Sequence, residues 1–427
     1  MNEAAGNGDL RSETAHETQA FVLAGGGAYA AYEVGVMQAL ASGKSPASGF
    51  MPVDPLVLTG TSAGAYNAVF LASQTELDIA QAVQGLAEVW STRLAGDAFG
   101  CSNGVLRYRL DPFTNLNPVC FFGNPGQMLT DFGDDVAFLA NAFAERLASF
   151  ASSTGRLDDR LAILVDLSAF IVANLAELIP KTIPFHNIPA SPRTLRIAVT
   201  NWTKGTVEIF SNQDMLRPDA PLYLSASAAI PGVFPPVEIG SQTYVDGGVL
   251  MNTPLSPAIR AGAGTLHVIY MDPDLSKVPD QVLNNTLGTM ERIWNVQNAQ
   301  DLTTDIETAA RINRGVALLR AAELSSSNEG RALAAMVGRV LGHMERTSPE
   351  EAMARFEKYR QVTIHRYHPH DNLGGPLGIL RFDRPGIEML MRKGYEDAVA
   401  HDCQTEGCIA PSGEVEWPAV SSAVQRG

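Results

Sequence analysis

The chain has 427 residues, 45% of them hydrophobic and 18% charged, enough to bury a large core in one big domain or in two to three ordinary ones. Its formal net charge of -15 excludes nucleic acid as an expected partner, because displacing counterions takes clustered Lys and Arg, and excludes docking to an anionic membrane by charge alone. Any contact with lipid has to be apolar or confined to a small patch. Met1 to Glu17 is polar and acidic and lacks the apolar stretch of a secretory signal, so residues 1–18 read as a disordered tail and the expected compartment is cytoplasmic. Cys101, Cys120, Cys403 and Cys408 are too few and too scattered for a disulfide scaffold, and none sits in Cys-x-x-Cys spacing. Cys403 and Cys408 read as plain thiols, a bridge between them requiring an oxidising compartment.

Ala20 to Ala24 is a short apolar run that ends in Gly25-Gly26-Gly27 and continues, from Ala28 to Leu40, with helical apolar spacing. Such a glycine loop can turn several N–H groups towards one anion. The pattern is not Gly-x-Gly-x-x-Gly and no Lys-Ser/Thr follows, so an oxyanion suits it better than a nucleotide phosphate. The second unit is Leu58-Thr59-Gly60-Thr61-Ser62-Ala63-Gly64-Ala65, a strand that breaks into Gly-x-Ser-x-Gly and restarts as a helix. Gly60 and Gly64 lack the Cβ atoms that would block a sharp turn, so Ser62 can stand at its tip with a free hydroxyl. The same five residues also occur as an ordinary surface turn. Two strand-turn-helix units predict parallel strands with both turns at one sheet edge, which makes the glycine loop a neighbour of Ser62.

Leu77 to Arg93 has helical spacing, Gly96 to Gly126 dissolves into Gly, Pro, Asn and aromatics, and Leu129 to Ala151 is again helical. Leu161 to Leu178 is apolar enough to raise a membrane span, but Asp166, Asn174 and Glu177 favour an amphipathic helix packed on the core or walling an acyl pocket. Residues 96–190 therefore read as an insertion or lid. Leu195 to Asn212 predicts a hairpin, Leu224 to Ile230 a small-residue helix stopped by Pro231-Gly232, and Val237 to Val245 a hairpin delivering Asp246-Gly247-Gly248. An aspartate there either caps its own turn or points into a site. Thr265 to Met271 and Gln361 to Tyr367 predict strands, 283–344 a helical block, and Ile387 to Ala400 a last helix. The catalytic unit is expected over 19–402, with 403–427 a loose tail.

A serine nucleophile needs a base, which can be histidine, lysine or a carboxylate. His365, His368 and His370 follow Ser62 and Asp246, so the order Ser, Asp, His is available; the same cluster could hold a metal, although it lacks the i, i+4 helical spacing of a zinc helix. Such histidines are also common as plain loop residues.

Four blocks in this order resemble the patatin-like phospholipase family: Gly25-Gly26-Gly27 after the first strand, Gly60-Thr61-Ser62-Ala63-Gly64, Ser225 to Pro236, and Asp246-Gly247-Gly248 with Asn252 and Pro254 after it. They run from about Phe21 to Leu255, and Leu380 to Ala400 resembles the family's closing strand and helix. The resemblance implies an α/β fold, three-layered, with a mostly parallel central sheet flanked by helices and with helical insertions. It implies a Ser62–Asp246 dyad with an oxyanion hole from the Gly25, Gly26 and Gly27 amides, Gly60, Gly64, Gly247 and Gly248 supporting the turns, and no metal or cofactor. The chain has Tyr29 and Ala30 where the family's Gly-Gly-Gly-x-Arg-Gly places arginine and glycine, which suits uncharged or zwitterionic esters. An unperturbed aspartate is a weak base towards a hydroxyl, so Asp246 is expected to be buried and within hydrogen-bond reach of Ser62. The expected activity is cleavage of phospholipid or lysophospholipid acyl esters, with peripheral membrane contact through apolar surface. The alternatives are a short-chain esterase or thioesterase using the same dyad, and a silent member that binds lipid or protein.

Overall fold

Ala20 to Leu23 bury completely in β1 (Gln19–Leu23), as expected of a strand covered on both faces. This computed structural model describes residues 17–97, 104–109, 117–123, 125–152, 171–173, 175–271, 286–324, 360–371 and 378–411, with a few isolated positions besides. After β1 a single 3-10 turn, Gly27–Ala30, leads into α1 (Ala31–Ala41). β2 (Val57–Thr61) then runs directly into α2 (Ala63–Ser73), with Ser62 alone between them. α3 (Ile79–Val89) is capped by Asp78, whose carboxylate accepts the Gln81 N–H, and ends in a π-turn, Trp90–Leu94.

The stretch expected as a long loop contains β3 (Leu106–Tyr108) and α4 (Pro118–Gly123), followed by α5 (Pro125–Ser152). The helix expected over Leu161–Leu178 differs at its far end: among the described residues there, Ile171–Ala173 is β4, antiparallel to β3, and α6 (Leu175–Thr182) is helical. Apolar spacing alone does not separate a short strand from a buried helix. Residues 153–170 lie outside the described residues, as do 1–16 and 412–427.

β5 (Thr194–Asn201) and β6 (Thr206–Ser211) form the expected hairpin, and α7 (Ala220–Ser227) is the small-residue helix. β7 (Val237–Ile239) and β8 (Gln242–Val245) form the second hairpin, whose end delivers Asp246. α8 (Leu255–Arg260), β9 (Thr265–Ile269), α9 (Thr286–Leu324), β10 (Thr363–Tyr367) and α10 (Arg384–Val399) complete the chain. Where a closing strand was expected near Leu380 there is a 3-10 turn, Gly378–Leu380.

The main sheet has eight strands in the order β10-β9-β1-β2-β5-β8-β7, with β6 on β5. Neighbours from β10 to β5 are parallel and the remaining pairs antiparallel, so the fold is α/β with a mixed, mostly parallel sheet flanked by helices. β1 pairs with β2 in the register Leu23↔Gly60, which puts the glycine loop and Ser62 at the same edge. α1 and α10 cross at Gly35 and Gly394, where a Cβ on either would strike the other's backbone. α9 is no separate module: Leu302, Ile306, Ala309 and Ala310 join the common core. Its buried Asn313 accepts the Val362 N–H at 2.9 Å and donates to the Val362 carbonyl at 2.7 Å, fixing the entry to β10.

Of the segment expected as a loose tail, residues 403–411 turn back, and Ile409 pairs with Ile364 of β10 through two backbone bonds of 2.9 Å. Cys403 and Cys408 are free thiols, and Cys120 is disulfide-bonded. Among the described residues no helix is long and apolar enough to cross a membrane.

Candidate active site

Ser62 sits at φ 55° and ψ -126°, a backbone conformation that a non-glycine residue holds only when its surroundings impose it. Two glycines impose it. A Cβ on Gly60 would run into the Gly64 carbonyl, and one on Gly64 would meet the carbonyls of Leu23 and Ala24. The Ser62 N–H donates to Ser227 Oγ at 2.9 Å, and that hydroxyl donates to the Ala198 carbonyl at 2.8 Å, tying the turn to α7 and β5. Thr59 and Thr61 hydroxyls reach from β2 to the carbonyls of Pro254 (3.0 Å) and Met251 (2.8 Å), which holds the segment after Asp246 against the Ser62 turn.

Asp246 is 1% exposed and Ser62 4%. Asp246 Oδ1 accepts the Gly248 N–H at 2.7 Å. Burial pushes its carboxyl pKa up to about 7, against the opposing pull of that N–H and of the Ser62 hydroxyl. Oδ2 nonetheless has no hydrogen bond of normal length and angle. The expected burial of Asp246 is present, and the Ser62 hydroxyl is near enough to lower its pKa.

Of the three loop glycines, Gly25 cannot serve as an oxyanion donor, because its N–H donates to the Asn252 carbonyl at 3.1 Å. Asn252 in turn donates from Nδ2 to the Gly25 carbonyl at 3.3 Å. This two-way bond, not readable from sequence, lays Gly25 against Ser62, where a Cβ would stand 3.0 Å from the serine Cβ. Of the two glycines left as candidates, Gly27 lines the same cleft as Ser62. A Cβ on Gly247 would strike the Ala198 carbonyl and one on Gly248 would crowd Asn252 and Asp246, so both support the turn by absence of a side chain.

The histidines do not reach the serine. β10 is three strands from β2, about 14 Å at ~4.8 Å per strand. His368 and His370 instead pair with Glu406 at 2.9 and 3.2 Å.

The cleft over Ser62 holds about 580 Å³ of empty space, part of it open to solvent. Its walls include Leu106, Leu175, Ile179, Ile230 and Phe234, and Ile379, Leu380 and Phe382 cover one side. Tyr29, at the position where arginine was expected, packs against Gly378 at the start of that cover. Two ring polar atoms in the lining are engaged: Tyr66 Oη donates to Thr182 Oγ1 at 2.8 Å and Trp90 Nε1 to Asn67 Oδ1 at 2.8 Å. Asn67 Nδ2 donates in turn to Glu33 Oε2 at 2.8 Å. Glu33 is fully buried, its Oε1 has no partner, and burial holds its carboxyl well above the usual range, which favours its neutral form. Glu33→Gln keeps the acceptor for Asn67 and removes a carboxyl that must lose its proton in the unfolded chain. A higher melting temperature at pH 8 is expected; a clear fall would show that Glu33 is ionised. This Glu33-Asn67-Trp90 chain was not legible, since Glu33 and Asn67 lie on mainly apolar helices and Trp90 in the turn after α3, with no motif joining them.

The family model for patatin-like phospholipases matches residues 21–259. No curated protein sequence matches the chain. Among solved structures, the crystal structure of VipD from Legionella pneumophila is similar at 16% identity and a TM-score of 0.34; the match covers 90% of this chain and 66% of that one.

Proposed function

Because the chain belongs to the patatin-like phospholipase family, we propose that it is a lipid acyl hydrolase that cleaves carboxylic esters of phospholipids or lysophospholipids, with Ser62 as nucleophile and Asp246 as base. The ionised Asp246 takes the Ser62 hydroxyl proton as Oγ attacks the ester carbonyl carbon, and the carbonyl oxygen becomes the anion of a tetrahedral intermediate. The N–H groups of Gly26 and Gly27 receive that charge. Collapse breaks the bond to the alcohol, which leaves with the proton from Asp246, and Ser62 keeps the acyl group. Water then attacks the acyl carbon with Asp246 again taking the proton, and collapse breaks the bond to Ser62 Oγ, which recovers that proton from Asp246 as the fatty acid departs.

The observation that carries this reading is a serine locked in an unusual backbone conformation, beside a buried carboxyl, at the mouth of a cleft walled by hydrocarbon. Such walls accept an acyl chain and leave the polar head outside. Approach to a lipid surface is supported by α5, which exposes Leu129 (64%), Phe132, Val136, Phe143 (62%) and Leu147 on one stripe.

A series of esters from two-carbon to sixteen-carbon acyl chains, with products profiled on phospholipid and lysophospholipid, tests the proposal. Turnover is expected to rise with chain length, and a fluorophosphonate probe is expected to label the wild type and not Ser62→Ala. Preference for the shortest esters makes it a short-chain esterase. No hydrolysis and no labelling makes it a silent binder.

A further inference from the structure

At the sheet edge remote from Ser62, four side chains that the catalytic reading does not use converge on one point. His365 comes from β10, and His401, Cys403 and Cys408 come from the turn that follows α10. Their ligand atoms all lie within 4.8 Å of one another. His365 Nδ1 is 3.3 Å from Cys403 Sγ, and His401 Nε2 is 3.4 Å from Cys403 Sγ and 3.3 Å from Cys408 Sγ. Zinc bonds of about 2.3 Å to sulfur and about 2.0–2.1 Å to nitrogen, at the tetrahedral angle, put sulfur and nitrogen about 3.5 Å apart. The three measured edges match that figure to within a few tenths of an ångström.

We propose that His365, His401, Cys403 and Cys408 bind one zinc ion in a closed Cys2His2 site that pins the chain after α10 to the edge strand of the sheet. A two-sulfur, two-nitrogen set with no open position suits zinc over calcium or magnesium, which take oxygen. Binding removes one proton from each thiol to solvent and uses neutral imidazoles, so no oxidant or reductant is involved. The turn is built to bring its two sulfurs together: the Cys408 N–H donates to the Cys403 carbonyl at 3.0 Å, and Gly407 takes φ +66° just before the second cysteine. Glu406, within the same turn, is occupied by His368 and His370 and does not compete as a ligand. The Ile364–Ile409 pairing is the backbone contact that the metal reinforces.

The test uses the full chain, purified without chelator, loaded with zinc and desalted. One equivalent of zinc by elemental analysis is expected, lost in Cys403→Ser/Cys408→Ser, with chelator lowering the melting temperature of the wild type and not of the double variant. Cobalt in place of zinc is expected to give a thiolate charge-transfer band and the intense visible bands of a tetrahedral ion. The cobalt spectrum of the wild type decides the matter even if the double variant fails to fold. The proposal is overturned by a wild type that retains no zinc and gives no thiolate-cobalt band, by zinc kept in the double variant, or by a Cys403–Cys408 disulfide in the native chain.

Discussion

Asp246→Asn is expected to lower lipid-ester turnover by about 10^2- to 10^4-fold, the range for loss of a positioned base, and at the same time to make the folded chain harder to unfold above pH 7. The carboxyl titrates at about 7 in the fold, where burial opposes its charge, and at about 3.9 in an unfolded chain. Between those values the folded state holds a proton that the unfolded state has lost. Wild-type stability therefore falls as pH rises from about 4 to about 7 and levels off above it. Holding the carboxyl at about 7 instead of about 3.9 corresponds to roughly 4 kcal/mol. Asparagine carries no such charge and can still accept the Gly248 N–H, so the two stability curves should meet near pH 4 and separate by a few kcal/mol at pH 8. Urea unfolding of both proteins across that window reads the difference. Parallel curves would mean that Asp246 is as well solvated as in the unfolded chain. In the same window, wild-type kcat/KM should climb with pH through an apparent pKa near 7, because the base works only when ionised.

The burial that the proposed base role requires of this carboxyl is thus a cost to the fold. The two turns that carry Ser62 and the glycine loop follow from local pattern: an apolar run, glycines that permit a reversal, then helical spacing. Parallel pairing of β1 with β2 follows from that order, and Asp246 from its place at the end of a hairpin. What local pattern does not contain is which distant backbone groups meet. Gly25 looked like an oxyanion donor until Asn252, more than two hundred residues on, was found taking its N–H. Ser227 is legible as part of a small-residue helix, and its hydrogen bond to the Ser62 amide is not. The Cys403–Ile409 segment reads as tail because it is polar and short of periodicity; its order comes from β10, reached only after the chain has folded.

Gly64→Ala is expected to destabilise the chain by about 3 kcal/mol, as overpacking against fixed backbone does, and to cut turnover by about 10^2 through displacement of the nucleophile. The added Cβ would lie 2.5 Å from the Leu23 carbonyl oxygen and 2.6 Å from that of Ala24. Neither can retreat. Leu23 is held between Gly60 on one side and Ile269 on the other, the Ala24 N–H donates to the Ile269 carbonyl at 3.1 Å, and the next residue is bound to Asn252. Relief has to come from α2, which would move off β1 and carry Ser62 with it, since no residue other than Ser62 links that helix to β2. Gly133→Ala is the control: this glycine lies exposed inside α5 with nothing near its missing Cβ, so alanine there should stabilise by up to about 1 kcal/mol through helix propensity alone. Opposite signs for the same chemical change would show that the first effect is contact and not backbone entropy. A Gly64→Ala protein with wild-type unfolding midpoint and wild-type kcat would mean that helix and strand are further apart at this point, and the serine would then lack the restraint that keeps it at φ 55°.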